Sequence, residues 1–325
     1  MSRTIVVIVN YFTSKHVAKG LHSLRSEPFD EVIVVDNSVN DAEYNALIEM
    51  AAIEPRLRVL KSDTNSGFGY AVNYGANSAN IQDDDYLWVL NPDVWYRAPV
   101  LSTLRSAIQS HRYDIVSPAI LYADEPDKYW YNGGDIDHVT GRATHRDLRK
   151  PAQPLASSHG TPPEPVTFMT GAAPLFSGRA WNRLGGFRDD LFMYWEDVDL
   201  SIRASSRGLR MGVCTAAQVR HEVGAASGDR KGMSPLFYYF NARNRLLVLH
   251  AVVDPRWRFN PRFGVDTIRT SLMPLRREKG VRRLSYLRCS VKGTAVGLRP
   301  RAVNTANAPS PASSQKHFRL RRAQP

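Results

Sequence analysis

The chain has 325 residues, 43% of them hydrophobic, with 43 Lys+Arg against 31 Asp+Glu and a formal net charge of +12. These figures exclude collagen, low-complexity disorder and a small disulfide scaffold, and fit one α/β domain with an appendage or roughly two domains. The positive charge is local: residues 255–325 carry 17 Lys+Arg and 2 Asp+Glu, which leaves the first 254 residues at −3.

Ile5-Val6-Val7-Ile8-Val9 is a continuous, β-branched run ended by Asn10-Tyr11, the pattern of a strand buried on both faces. Val17, Leu21 and Leu24 then mark one face of a helix, and Val32-Ile33-Val34-Val35 is a second strand ending at Asp36-Asn37-Ser38. Strand, helix, strand at this spacing predicts a parallel sheet. A third strand, Leu57–Leu60, leads through Asn65-Ser66-Gly67-Phe68-Gly69 into a small-residue helix over 70–79. Tyr86–Leu90 is a fourth strand, ending at Asn91-Pro92-Asp93. In such a sheet, ligands sit at the carboxyl ends of the strands.

Ile115–Ser117 reads as another strand, and residues 124–165 as a hairpin or long functional loop. Order resumes over 166–176 and 184–207, with a strand near Arg210–Cys214 and a helix over Phe237–Val253. Beyond Pro300, Ala, Pro, Ser and Arg dominate, and disorder is expected. Cys214 and Cys289 form no spaced motif, and Cys214 reads as a buried free thiol. No run approaches the roughly 18 apolar residues of a membrane span, and the start reads as a strand rather than a signal peptide. A cytoplasmic location is the expectation.

Asn10, Asp36 and Asp93 stand at the ends of three apolar strands. Any one of them could simply cap the next helix. Three at one sheet edge beside a Gly-containing loop point to a nucleotide site, where Asp36 could accept from a base N–H and Asp93 could hold Mg²⁺ or Mn²⁺ against phosphate. Gly67-Phe68-Gly69 is neither a Walker loop nor the Rossmann pattern, but it opens a helix, where backbone N–H groups can face an anion. Tyr194-Trp195-Glu196-Asp197-Val198-Asp199 sets three carboxylates beside an aromatic pair suited to a sugar ring. The helix dipole accounts for one or two of these acids, and another could serve as a general base toward a hydroxyl. His221, expected after a strand and a short turn, is a candidate ligand.

Val7–Tyr11, Val34–Ser38, Asn65–Gly75, Leu90–Asp93, Thr170-Gly171-Ala172, Gly185-Gly186-Phe187, Glu196–Leu200 and His221 occur here in an order and spacing that resembles the family 2 glycosyltransferases, and within them the rhamnosyltransferase-like group. The helix holding Tyr238, Tyr239, Arg243, Asn244, Arg245 and Leu246 is similar to the one that follows the catalytic domain there. One departure is Gly186-Phe187-Arg188-Asp189-Asp190, where relatives often place Asp-Glu directly after the Phe.

The resemblance implies a GT-A fold, with a central mostly parallel sheet flanked by helices and a basic helical appendage. It also implies an inverting transfer from a nucleotide-diphosphate sugar. Asn10, Tyr11, Asp36, Asn37, Asn65, Gly67, Phe68 and Asn91 are then the expected nucleotide contacts, with Asp36 on the base. Asp93 and His221 are the expected ligands of Mg²⁺ or Mn²⁺, Asp197 the base with Glu196 beside it, and Trp195 and Gly171 acceptor contacts. The expected reaction moves L-rhamnose from dTDP-rhamnose onto a saccharide or polyprenyl-linked saccharide in cell-surface polysaccharide synthesis. A hexose, N-acetylhexosamine or galactofuranose donor is the alternative.

The expected organisation is a catalytic domain over 1–254, a basic amphipathic appendage over 255–300 and a disordered tail over 301–325. In the appendage Arg276, Arg277, Lys279, Arg282, Arg283 and Arg288 interleave with Leu272, Leu275, Val281, Leu284, Leu287 and Val291. That composition suits an anionic membrane surface, here the inner face of the cell membrane, or packing on the catalytic domain. A nucleic-acid-binding protein is the different-class reading of the basic tail, and the lack of any recognition-helix or zinc-finger pattern argues against it.

Overall fold

A computed structural model describes residues 2–96, 99–137, 140, 142–154, 161–222, 233–252 and 260–299. The tail beyond Pro300, expected to be disordered, lies outside the described residues. The elements run β1 (Thr4–Asn10), α1 (Ser14–Leu24), β2 (Glu31–Asp36), α2 (Asp41–Ala51), β3 (Leu57–Lys61), α3 (Phe68–Ala79), β4 (Tyr86–Leu90) and β5 (Val94–Trp95). They continue with α4 (Leu101–His111), β6 (Ile115–Tyr122), β7 (Tyr129–Tyr131), β8 (Gly134–Asp137), β9 (Arg142–His145), β10 (Glu164–Pro165), β11 (Leu175–Ser177), α5 (Gly178–Leu184), α6 (Glu196–Ser206) and β12 (Met211–His221). The C-terminal helices are α7 (Pro235–Val252), α8 (Pro261–Ser271), α9 (Met273–Arg277) and α10 (Arg282–Gly297).

The sheet order is β10-β12-β6-β11-β4-β1-β2-β3. Strands β1, β2, β3 and β4 pair in parallel, and β1, buried at every residue, lies between β2 and β4. The long pairing of β6 with β12 is also parallel, while β11, β10, β5 and β7 add short antiparallel contacts. The 124–165 stretch contributes β7, the β8–β9 hairpin and β10. Cys214 is a buried free thiol, pushed up to about 12 by burial.

Strand β12 departs from expectation. It runs eleven residues, to His221, so His221 is its last residue rather than a residue past a turn. A bulge between Cys214 and Gln218 resets its register against β6, so an apolar run that breaks at Thr215 resumes on the same partner. The two-residue β5 pairs antiparallel with this far end, Val94 opposite His221 and Trp95 opposite Arg220.

The C-terminal helices pack on the body. Helix α10 crosses α7 through Gly293 and Gly297. A Cβ on Gly293 would run into the Tyr239 carbonyl, and one on Gly297 would come within 2.7 Å of the Arg243 carbonyl. Ser271 Oγ and Thr294 Oγ1, 2.7 Å apart, tie α8 to α10. The outward face of α8 and α10 leaves Val265, Ile268, Leu284 and Val291 exposed, and Val281, just before α10, is 89% exposed.

Candidate active site

The carboxyl ends of β1 and β2 form one polar corner. Asp36 is fully buried; its Oδ1 accepts from Asn10 Nδ2 (2.9 Å) and the Ser38 N–H (3.1 Å), while Oδ2 has no partner. A buried carboxylate oxygen without a donor is costly, and a nucleobase N–H would satisfy it. The Asn10 side chain is spent internally, donating to Asp36, Ser38 and Glu43 and accepting from the Thr13 N–H and hydroxyl, so it shapes the corner. Tyr11 is exposed at its lip.

Asn37 holds the next loop, donating to Asn65 Oδ1 (2.9 Å) and to the Gly67 carbonyl (3.2 Å). Gly67 adopts φ +92°, and a Cβ there would collide with the Phe192 carbonyl. The Gly67 N–H donates to Asn65 Oδ1 and the Phe68 N–H to Phe192 O (2.8 Å). These two donors are therefore occupied, which corrects the expectation that they face an anion. Their role is to tie this polar corner to the loop before α6.

The β5–β12 pairing brings Asp93 Oδ1 within 3.1 Å of His221 Nε2, both side chains 7% exposed. Asp93 Oδ1 and His221 Nδ1 make no hydrogen bond. An oxygen and an imidazole left unsatisfied in a buried corner are the donor types a divalent cation takes, and Mg²⁺ or Mn²⁺ fills its other positions with phosphate and water. The two residues fit such an ion. Among the described residues no group of three or more His, Cys, Asp or Glu side chains is placed to hold a metal ion. The Trp130 ring lies edge-on to His221 (4.5 Å between centroids) and to His145 (4.8 Å), so one indole separates the Asp93 corner from His145.

The carboxylate cluster at α6 splits into different tasks. Asp199 is fully buried and ion-paired to Arg203 (2.7 Å) and Arg188 (3.4 Å), a structural use of the third acid and of the Arg188 insertion. Asp190 pairs with Arg188 as well, and Asp189 accepts from Asn73 Nδ2 (2.5 Å). Asp197 Oδ1 accepts from the Val198 N–H (2.8 Å) and Oδ2 from the Gly171 N–H (3.4 Å); Glu196 Oε2 has no partner. Burial pushes the Asp197 carboxyl up to about 6, against those backbone donors. Burial, then the Asp197 charge, pushes Glu196 up to about 8. Both carboxyls are raised by burial, so the adjacent pair resists carrying two negative charges and holds a carboxylate that can accept a proton.

The approach to α6 is held in an unusual shape. Phe192, Tyr194 and Trp195 all have positive φ (67°, 64° and 74°), a conformation that costs non-glycine residues of order 1–3 kcal/mol each. Asn244, fully buried on α7, donates to the carbonyls of Leu191, Met193 and Tyr194 at 2.8–2.9 Å and fixes that shape. Trp195 Nε1 donates to Asn241 Oδ1 (2.9 Å). On α3, Asn73 clamps Phe187 by its N–H and carbonyl. Asn73 and Asn244 carry no chemistry-bearing pattern in sequence, although each lies inside a quoted motif.

Asp197 stands between two spaces. Through Gly171 it adjoins the Gly67 loop and the end of β4, since Gly171 packs on Phe68 and the next carbonyl, Ala172 O, accepts from the Asn91 N–H (2.8 Å). On its other side a cleft of about 750 Å³ runs from Tyr194, Trp195, Glu196 and Asp197 to the inner faces of α7, α8 and α9.

Residues 5–166 match the family model described as glycosyl transferase family 2. The chain belongs to that family. Over 242 residues, 69% of this chain and 77% of the relative, this glycosyltransferase is 28% identical to the N-acetylglucosaminyl-diphospho-decaprenol L-rhamnosyltransferase of Mycobacterium tuberculosis. In three dimensions it is similar to GalNAc-T7, solved with UDP, GalNAc and Mn²⁺ (TM-score 0.62, 16% identity, 89% of this chain and 54% of that one). It is also similar to the mannosyltransferase PcManGT of Pyrobaculum calidifontis, solved with GDP-Man and Mn²⁺ (TM-score 0.53, 13% identity, 90% and 84%). At these identities the structures establish the GT-A fold of this glycosyltransferase and nothing narrower.

Proposed function

We propose that this glycosyltransferase moves L-rhamnose from dTDP-rhamnose, with inversion, onto a saccharide carried by a polyprenyl lipid. The observation that carries the chemistry is the placement of Asp197, beside Glu196 and held by the Gly171 and Val198 N–H groups, between the β1–β2 corner and an open cleft. Inversion needs one base, because the acceptor hydroxyl attacks the anomeric carbon from the side opposite the leaving diphosphate. Asp197 takes that hydroxyl proton, and Glu196, protonated beside it, adds no second negative charge. Asp36 Oδ2 receives the base N–H, Asn37 and Asn65 hold the Gly67 loop beneath the donor, and the Trp195 ring supports the acceptor sugar. Asp93 and His221 would hold Mg²⁺ or Mn²⁺, which supplies positive charge against the leaving diphosphate. The choice of rhamnose rests on the relative from Mycobacterium tuberculosis.

A panel of nucleotide sugars with Mg²⁺ or Mn²⁺, scored by hydrolysis and by protection against thermal unfolding, tests the donor. With dTDP-rhamnose turned over and protective, Asp197→Asn should keep the protection and lose about 10²-fold or more in turnover. Near-normal turnover in that variant removes the base assignment and makes Glu196 the next candidate.

The exposed apolar stripe of α8 and α10, flanked by Arg282, Arg283, Arg288 and Lys292, supports docking on anionic lipid. No helix among the described residues is long and apolar enough to cross a membrane. Because α10 packs on α7, removing it would expose α7, so the test is Val281→Ser, Leu284→Ser and Val291→Ser together. Loss of sedimentation with anionic liposomes is expected, and unchanged sedimentation sinks the lipid reading.

A further inference from the structure

Besides the carboxylates, the wall of the cleft beyond Asp197 carries an imidazole. The far end of the cleft is lined by arginines, among them Arg269, Arg276 and Arg277. Toward the carboxylates it is lined by Tyr194, Trp195, Phe168 and His145, the last residue of β9. The β8–β9 hairpin brings His145 there by pairing it with Gly134, where a Cβ would come within 2.6 Å of the Phe168 ring. The His145 and Phe168 rings lie 5.7 Å apart. Beside Phe168, the Met169 N–H donates to Ser201 Oγ (3.0 Å), and that hydroxyl donates to the Asp197 carbonyl (2.7 Å). His145 and Asp197 therefore belong to one stretch of wall, joined through Phe168-Met169 and α6.

The two ring nitrogens of His145 have different tasks. Nδ1 lies 2.7 Å from the Trp130 carbonyl, which can only accept, so Nδ1 carries the hydrogen. Nε2 takes no partner among the described residues, and unlike the unpartnered Nδ1 of His221 it is not sealed from solvent. Burial holds the ring below the ordinary histidine pKa, and His221 beyond the indole adds to that. The imidazole is thus neutral at pH 7, with a lone pair on Nε2 and no proton to give there. The ring is also fixed in place: the Trp130 indole stands edge-on at 4.8 Å and the Tyr131 ring at 5.3 Å, each at 88°. A histidine that served only to tie Trp130 would use Nδ1 and need no opening to the cleft. A rigid, neutral, acceptor-only nitrogen on a cleft wall complements a hydroxyl that donates.

We infer that His145 Nε2 accepts from a second hydroxyl of the acceptor sugar, which fixes the ring so that the reacting hydroxyl faces Asp197. This rests on the reading of Asp197 as the base and of the cleft as the acceptor side. A pyranose carries several hydroxyls, and one contact at the base leaves the ring free to turn about it. A second contact, fixed in the same wall, removes that freedom and holds one hydroxyl in line for attack. Trp195 offers the ring a face, but stacking alone does not tell one hydroxyl from another. His145 is accordingly a specificity-determining residue, with no proton transfer assigned to it.

The test pairs two variants with a series of acceptors. His145→Asn keeps an amide N–H where Nδ1 stands and removes Nε2, whereas His145→Gln carries an amide oxygen where Nε2 stands. The acceptors are an N-acetylglucosaminyl-diphospho-alkyl compound and its forms deoxygenated singly at each free hydroxyl, used with the nucleotide sugar that the native protein turns over. In the native protein, deoxygenation at one non-reacting position should lower kcat/KM about tenfold. His145→Asn should lose about tenfold on the parent acceptor and nothing further on that deoxy form, and His145→Gln should recover part of the loss together with the sensitivity. Native kcat/KM in His145→Asn, or losses that multiply with every deoxygenation, overturn the inference. Hydrolysis of the donor without acceptor should be unchanged in His145→Asn; a loss there puts the histidine to work on the donor or in the fold and overturns it as well. The comparison keeps Asp197 intact and uses whichever donor is turned over. A wrong donor or a wrong base is therefore read by the nucleotide-sugar panel and by Asp197→Asn, and leaves the result at His145 standing.

Discussion

Glu196→Gln isolates the electrostatics of the Glu196–Asp197 pair. In the fold the Glu196 carboxyl keeps its proton to about pH 8, whereas in the unfolded chain it ionises near its ordinary value of 4.5. Unfolding therefore releases a proton, and rising pH favours the unfolded chain at about 1.4 kcal/mol per pH unit until the folded group itself ionises. Asp197, raised to about 6, completes its own contribution below that window and is common to both proteins. Between pH 6 and 8 the native chain should then lose about 2–3 kcal/mol from Glu196, and about 2 once partial solvent screening is counted. Glutamine does not titrate, so the variant escapes this loss. With roughly 2–3 °C of Tm per kcal/mol for a chain of this size, the variant's Tm should gain about 4–6 °C on the native protein between those pH values. Thermal scans of both proteins at pH 6 and 8, at fixed ionic strength, read the difference. A gap that stays constant or shrinks as pH rises refutes the protonated Glu196 and, with it, the division of labour in the pair.

The base role adds a pH signature: kcat/KM should rise with pH through about 6 as Asp197 loses its proton, and a flat profile from pH 5 to 7 counts against it. Asn244→Leu removes the amide group that the three carbonyls of the strained loop before α6 share; stability should fall by about 2–4 kcal/mol and kcat at least tenfold, with donor KM little changed. Wild-type kcat in a folded Asn244→Leu protein would show that the loop holds its shape without α7. Gly67→Ala places a Cβ against the Phe192 carbonyl at φ +92°, so nucleotide protection in thermal scans should be lost, and retained protection would mean the loop relaxes freely. Asp93→Asn and His221→Ala should each abolish the dependence of turnover on added Mn²⁺, and an unaltered metal titration in both removes that corner from the reaction.

The inner strands of the parallel half were legible because they are apolar on both faces. Thr4–Asn10 and Tyr86–Leu90 are buried throughout, and a run of that kind needs no knowledge of its neighbours. Helix α2 was not legible, since Leu47 is its one buried residue and a single position makes no stripe. Strand β12 was read only to Cys214 because its continuation carries Thr215, Gln218 and Arg220 across a bulge. Strand β5, two residues long, has no period at all. Yet its pairing with the end of β12 is what brings Asp93 to His221, so both residues could be nominated separately while their meeting could not be derived.

The same contrast divides the site. Asp36, Asp93 and Asp197 each follow or open a regular element, and a residue at such a boundary is visible in one dimension. The arginine end of the cleft is assembled from the β8–β9 hairpin, α7, α8 and α9, and each contributor taken alone reads as surface charge. The basic excess after residue 255 left a membrane surface, packing on the catalytic domain and a nucleic acid open, because composition records how much charge is present and not which way it faces. In the fold Arg269, Arg276 and Arg277 turn toward the cleft that reaches Asp197, while Val281, Leu284 and Val291 face solvent with Arg282, Arg283 and Arg288 around them. An appendage that is cationic toward the cleft and amphipathic outward presents two different surfaces, one to the cleft and one to solvent. Charge removed from the inner face should therefore change acceptor KM, and apolar groups removed from the outer face should change liposome binding; a variant on either face that moved both equally would mean the two faces do not act separately.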